Sequence, residues 1–172
     1  HGKDHIMPKA SVDVAIHCGD LTDESKLEEY RTTLEVLKSI ETPLKLVIAG
    51  NHDFSLDDTA LQRQTAEATR RGIELELVKK EFGDIGQARQ LFTDAENEGI
   101  TFLDEGIHSF RLQNRACLTV YASPYTPSLE ATAGFQFKPH DDHTFSIRSP
   151  ANNDNNNNNK RVDIAITHGP PR

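Results

Sequence analysis

Val12-Asp13-Val14-Ala15-Ile16 runs into His17-Cys18-Gly19-Asp20, and this order of apolar run and polar phrase recurs twice. Leu44-Lys45-Leu46-Val47-Ile48 leads to Gly50-Asn51-His52-Asp53. Val162-Asp163-Ile164-Ala165-Ile166 leads to Thr167-His168-Gly169-Pro170-Pro171. The three runs read as buried β-strands. Between the first two lies a predicted helix over 24–40, with Thr22 and Asp23 as N-cap oxygens and Leu27, Tyr30, Leu34, Leu37 and Ile40 on one face. Strand, helix and strand at this spacing predict a parallel βαβ unit and an α/β fold. In such a sheet, ligands bind in the crevice outside the carboxyl ends of the strands. The three polar phrases fall at that edge.

Outward from this unit, Asp57 to Arg71 reads as a polar helix, and 73–99 as mostly helical with a break near Gly83 and Gly86. Ile100 to Leu103 is a short strand. Ile107 to Leu112 and Ala116 to Ala122 form an antiparallel hairpin across Gln113-Asn114-Arg115. A long loop over 123–161 follows, rich in proline and aromatic residues at first, and containing a low-complexity asparagine tract at 152–159. That tract offers no apolar side chain to a core and is expected to be disordered.

The 172 residues fit one domain over 1–172. A 35% hydrophobic content and a mean hydropathy of −0.60 are on the polar side. No apolar run approaches the roughly 20 residues of a membrane span, so a membrane association is not expected. With no targeting signal in view, the location expected is cytoplasmic. The net charge of −8 argues against a broad nucleic-acid surface, which would be basic. It leaves room for a small phosphate substrate, because bound divalent cations reverse the local sign. Cys18 and Cys117 are too few for a disulfide framework and are expected as buried, reduced thiols. The start at His1 and the stop at Arg172, just after a strand, lead to the expectation that both ends are cut.

Asp20, Asn51 and His168 are the candidate metal ligands. A carboxylate has two oxygens, so Asp20 suits a bridge between two cations; Asn51 offers an amide oxygen and His168 an imidazole nitrogen. His52 follows a ligand without needing to be one, which suits a general acid or a positive charge against a phosphate oxygen. Each phrase alone also reads as a turn, since Gly, Asn and Asp favour turns. Three at successive strand ends favour a metal-dependent hydrolase. His17 is expected as a packed or supporting residue, and His5 and Asp4 as solvated. Pro139-His140-Asp141-Asp142-His143 looks like a metal cluster but lies in a polar loop. Tyr125, Phe135 and Phe137 could flank a pocket, a small satellite cluster under the loop being the plainer reading.

The ordered phrases GD, GNHD and THGPP resemble those of the calcineurin-like metallophosphoesterase superfamily. The stretches DIAITHGPP (Asp163 to Pro171) and ASPYTP (Ala122 to Pro127) are most similar to its small metallophosphoesterase-domain-containing group. The resemblance implies a four-layer α/β/β/α sandwich, incomplete here at both termini, with two divalent metal ions (Mn, Fe, Zn or Mg) at the strand ends. It implies His1 as a ligand of the first metal, Asp20 as the bridge, Asn51 and His168 on the second, and His52 as the catalytic histidine oriented by Asp53. The family's first strand with its aspartate, and its Gly-His-x-His phrase after His168, are not in this chain. The implied activity is hydrolysis of a phosphomonoester or phosphodiester, nucleotides included, by in-line attack of a metal-bridging hydroxide. The alternative is a non-catalytic scaffold of the same fold that binds protein partners.

Overall fold

Two β-strands joined by one amphipathic helix build the first half of the site, and they pair as their patterns predict. β1 (Val14–Cys18) lies parallel to β2 (Leu44–Ile48), with Val14 opposite Leu44 and Cys18 opposite Ile48. The computed structural model describes residues 12–141, 143–145 and 161–169. β1 sits two residues later than the apolar run suggests. Its backbone stays paired to the end of β2, and ladder hydrogen bonds do not depend on the polarity of His17 and Cys18. β3 (Ile100–Phe102) adds in parallel on the other side of β2, giving the order β1-β2-β3.

Helix α1 (Leu27–Lys38) is shorter than its predicted span. Its cap is not Thr22 or Asp23. The Glu29 carboxylate instead reaches back and accepts the N–H groups of Asp23, Glu24 and Lys26 at 3.1, 3.1 and 2.9 Å, satisfying donors at the helix start. Thr22 is drawn inward by another partner, described below. α2 (Asp58–Arg70) is capped by Asp57, whose side chain accepts the Ala60 N–H. α3 (Leu75–Phe82) and α4 (Gln87–Asp94) are split where predicted, with Gly83 at φ 84° and Gly86 at φ 81°. Those left-handed values favour glycine.

β4 (Gly106–Arg111) and β5 (Cys117–Ser123) form the expected antiparallel hairpin. β8 (Ile164–Thr167) pairs parallel with β5, Ser123 opposite Thr167, so the second sheet runs β4-β5-β8. Inside the long loop, β6 (Thr126–Pro127) and β7 (Gln136–Phe137) form a two-residue parallel pair. The asparagine tract at 152–159 lies outside the described residues.

Two apolar clusters define the layers. On the helix side, Leu27, Tyr30, Leu34 and Leu37 of α1 and Phe92 of α4 pack on Val47, Ala49 and Ile100. On the other face of the same sheet, Leu46 and Ile48 meet Val120, Ala122 and Ile166 of the second sheet. This is an α/β fold of helices, sheet and sheet, three of the four layers that the resemblance implies. Among the described residues, the elements after β3 are all strands. Phe135 is buried in the helix-side cluster with Tyr125 against it, so these two rings join a main core rather than forming a satellite.

Both cysteines are free, as expected, but they are exposed rather than buried. Along β5, Val120 and Ala122 face inward. The two-residue period therefore turns Cys117 outward. Cys18 shares its side of β1 with Ile16, which is 39% exposed on the outermost described strand of its sheet. Among the described residues, no helix is long and apolar enough to cross a membrane.

Candidate functional site

The ends of β1, β2 and β8 meet, and Asp20, Asn51 and His168 meet with them. His168 Nε2 lies 3.0 Å from Asn51 Oδ1 and 3.2 Å from Asp20 Oδ1. Nδ1 of the same ring lies 2.8 Å from the Cys18 carbonyl oxygen. That carbonyl can only accept, so Nδ1 carries hydrogen and a neutral ring presents a bare lone pair at Nε2. That lone pair then faces two acceptor oxygens, at 3.0 and 3.2 Å. The arrangement needs a positive charge at its centre, either a second proton on the ring or a cation.

Two glycines make this approach possible. A Cβ on Gly19, whose φ is 93°, would stand 2.6 Å from the Ala49 carbonyl and 2.6 Å from His168 Nδ1. A Cβ on Gly50 would fall onto the Asp20 backbone nitrogen and carboxylate and within 2.7 Å of His168 Cε1. Both distances lie well inside van der Waals contact. Asp20 itself has φ 54°, a left-handed value for a residue with a side chain.

The donor set suits a cation. One carboxylate, one amide oxygen and one imidazole are hard or borderline ligands, appropriate to Mg, Mn, Fe or Zn. Neighbouring ligands of an octahedral ion at about 2.1 Å stand roughly 3 Å apart, which matches the separations seen. Among the described residues, no group of three or more His, Cys, Asp or Glu could hold a metal ion; Asp20 and His168 are two such residues, and the third donor is the Asn51 amide. His1, the other predicted ligand, lies outside the described residues.

His52 stands next to this centre. Its backbone N–H donates to Asp20 Oδ1 at 3.2 Å, and its Nδ1 lies 2.8 Å from the Asp23 carbonyl. That carbonyl, with the nearby carboxylates of Asp20, Asp53 and Asp23, raises its pKa above 6.5 and favours the imidazolium. Asp23 O therefore orients the His52 ring in this structure.

Asp53 has another place. It is fully buried and ties the loop after β1 to the loop after β2. Oδ1 accepts from Thr22 N–H at 3.0 Å and Thr22 Oγ1 at 2.8 Å; Oδ2 accepts from Leu21 N–H at 3.0 Å and Gly50 N–H at 2.7 Å. Burial pushes its carboxyl up to about 6 against these bonds, so it is ionised at neutral pH. Nothing in Gly-Asn-His-Asp separates this supporting role from a direct one; only the pairing partners at 21 and 22 do.

His17 is partly buried, and its Nδ1 has no hydrogen-bond partner among the described residues. Burial lowers its pKa, so the ring is neutral beside the centre. His5 and Asp4 lie outside the described residues. In the run 139–143, His140 and Asp141 are exposed and Asp142 is not described, whereas His143 turns inward.

Sequence comparison points the same way as the site. A profile of the calcineurin-like phosphoesterase family matches residues 3–172. The chain is 28% identical over 167 residues, 93% of its length, to "Probable rhamnogalacturonate lyase C" of Emericella nidulans, and it spans 12% of that protein. It is 36% identical over 69 residues, 39% of its length, to UPF0046 protein K07C11.7 of Caenorhabditis elegans, and the match covers 24% of that protein.

Proposed function

We propose that this chain, which belongs to the calcineurin-like phosphoesterase family, hydrolyses a small phosphomonoester or phosphodiester with divalent cations held at its strand ends. The observation that carries the reading is the approach of Asn51 Oδ1 and Asp20 Oδ1 to His168 Nε2, at 3.0 and 3.2 Å. Three acceptors brought together repel one another unless a positive charge sits among them. A scaffold that bound only protein partners would gain nothing from that cost. The lyase named for the first relative belongs to a protein of which this chain spans 12%, and it is not carried over.

In this reading Asp20, Asn51 and His168 would hold one cation, and Asp20 with His1 would hold a second. When bound, divalent cations neutralise phosphate oxygens and make water a better nucleophile at neutral pH. The chain's residues do the rest. Asp20 and Asn51 hold their oxygens at the centre through the glycine turns that precede them. The Cys18 carbonyl keeps the His168 proton on Nδ1. His52, favoured as imidazolium, donates a hydrogen bond to the leaving oxygen and gives it a proton as the ester bond breaks. The substrate reaches an acidic protein because the cations supply the attraction.

The test is a panel of aryl phosphate mono- and diesters with Mn, Mg, Fe and Zn. Turnover with at least one cation, lost on chelation, is the expected result. No turnover with any cation and any ester would overturn the reading. Gly50→Ala should lower that turnover by about a hundredfold with the far-ultraviolet circular dichroism unchanged, because its Cβ displaces Asp20 or His168 by about an ångström. A fully active Gly50→Ala would show that the close approach is not needed.

A further inference from the structure

Beside the proposed centre, on the second sheet, one buried carboxylate gathers three partners. Glu105, between β3 and β4, has a side chain only 12% exposed. Its Oε1 accepts from Ser123 Oγ at 2.8 Å and from Tyr121 Oη at 3.3 Å, and it lies 3.0 Å from His143 Nε2. Ser123 and Tyr121 are on β5; His143 is in the long loop. The His143 ring is enclosed by aromatic rings, stacked on Phe137 at 4.8 Å, tilted against Tyr125 at 4.5 Å and edge-on to Phe145 at 4.7 Å.

Two backbone connections carry this cluster to the centre. The His168 N–H donates to the Ser123 carbonyl at 3.2 Å, so the serine that Glu105 holds is the one that seats His168. The Gly134 N–H donates to the Asn51 carbonyl at 3.0 Å, and the Phe135 N–H to Asp57 Oδ2 at 2.9 Å. Thr126 N–H to Phe135 O at 2.9 Å joins the two ends of that loop. The segment from Tyr125 to Phe137 is thus a strap, fixed to Asn51 on one sheet and to the Glu105 cluster on the other.

We propose that Glu105 is a positioning residue for His168, and that His143, packed on Tyr125 and Phe137, is the latch by which the same carboxylate holds the strap that meets Asn51. The inference rests on the phosphoesterase reading only for its consequence, since the geometry is that of the chain alone. Removing the carboxylate leaves two hydroxyls and an imidazole, all partly or fully buried, without their shared acceptor. The Ser123 end of β5 loosens, and His168 loosens with it. Tyr121, whose phenol burial and Glu105 together push up to about 12, stays protonated and donates to Glu105.

The experiment compares wild type, Glu105→Ala, Glu105→Gln and His143→Phe in two readouts. The first is amide hydrogen exchange at His168 and Gly134 in metal-free protein, with Leu46 and Val47 of β2 as internal controls. Exchange should quicken by about tenfold at His168 in Glu105→Ala and at Gly134, whose N–H reaches Asn51, in His143→Phe, with the β2 amides unchanged, and Glu105→Gln, whose amide oxygen still accepts, should restore most of the protection at His168. The second is the affinity for manganese by calorimetry. Supporting partners of metal ligands are worth about 10- to 100-fold in affinity, and about tenfold weaker binding is expected for the two damaging variants. Unchanged exchange at His168 in Glu105→Ala, or at Gly134 in His143→Phe, overturns the inference. So does wild-type manganese affinity in a variant that only melts lower. Should Glu105→Ala not fold, Ser123→Ala, which removes the hydroxyl that Glu105 holds and keeps the carbonyl that His168 meets, decides by exchange at His168. A wild type that takes up no manganese would count against the phosphoesterase reading, and the exchange measurement would still decide this one.

Discussion

Asp53→Ala is expected to cost about 4 kcal/mol and to lower the melting temperature by about 10 °C. Three backbone N–H groups and one hydroxyl converge on this carboxylate. They belong to Leu21, Thr22 and Gly50, at the ends of two neighbouring parallel strands. With alanine in place the three backbone donors lose their acceptor, and Thr22 Oγ1 keeps only the His52 carbonyl at 3.5 Å, in a region where Asp53 is 0% exposed. A buried donor left without a partner costs about 1–3 kcal/mol, and partial hydration through the new cavity keeps the total nearer the low end of the sum. For a chain of this size, each kcal/mol is worth about 2–4 °C. Desolvation opposes this loss, because burying an ionised carboxylate is itself unfavourable; the raised pKa measures that cost. The sign follows. With the folded value near 6 above the unfolded value of 3.8, the proton-linked part of the stability this group adds is fully present below 3.8 and is lost as pH rises through about 6, while the hydrogen bonds to the carboxylate remain. The gap between wild type and Asp53→Ala should therefore be widest at the acid end of the range in which both fold, and narrow towards pH 7.5. Thermal unfolding across pH 4.5–7.5 checks both statements. A gap that widens steadily with pH would show that the carboxylate is not the buried, desolvated group described.

The strands and the helix between them were legible because burial imposes a period on sequence. Leu27, Tyr30, Leu34 and Leu37 repeat at helical spacing and are all buried. Strand ends were less legible, since the backbone pairing that carries β1 through His17 and Cys18 leaves no mark on side-chain polarity. The cysteines show the same limit from the other side. An apolar residue in a strand has a face, and its neighbours in space decide whether that face is covered.

The site divides in the same way. Asp20, Asn51 and His168 were readable because each ends a strand, and parallel strands bring their ends to one edge. Asp53 was readable as part of a phrase but not as a tie between two loops. Glu105 was not readable at all. Its partners lie 18 and 38 residues further on, on a strand and a loop whose approach only the fold creates. Gly134 is the same case, a glycine in a proline- and aromatic-rich stretch that becomes a contact to Asn51. The run Pro139 to His143 looks like a metal cluster in sequence. Among its described residues, the one that turns inward, His143, is stacked on Phe137 and paired with Glu105.

His52→Ala should reduce turnover by about 10²–10⁴-fold while leaving the bound cation in place, whereas Asp20→Ala should remove both. The contrast follows from where the two side chains stand. Asp20 Oδ1 lies 3.2 Å from His168 Nε2, inside the group of acceptors. Removing it takes away the negative charge on which a cation there depends. His52 donates its backbone N–H to Asp20, a bond that alanine retains, and its ring Nδ1 lies 2.8 Å from the Asp23 carbonyl. Loss of the ring therefore leaves the donor set intact. What is lost is a proton donor, and the pH profile should show it. The carbonyl and the surrounding carboxylates keep His52 protonated above its ordinary 6.5. Wild-type turnover should hold up to that raised value and fall beyond it as the imidazolium loses its proton, and this alkaline limb should be missing from His52→Ala. Metal content by atomic emission and kcat against pH, measured on the two variants and the wild type, separate the roles. Equal loss of metal in both variants would make His52 a ligand. An alkaline limb that survives in His52→Ala would assign the proton to another group.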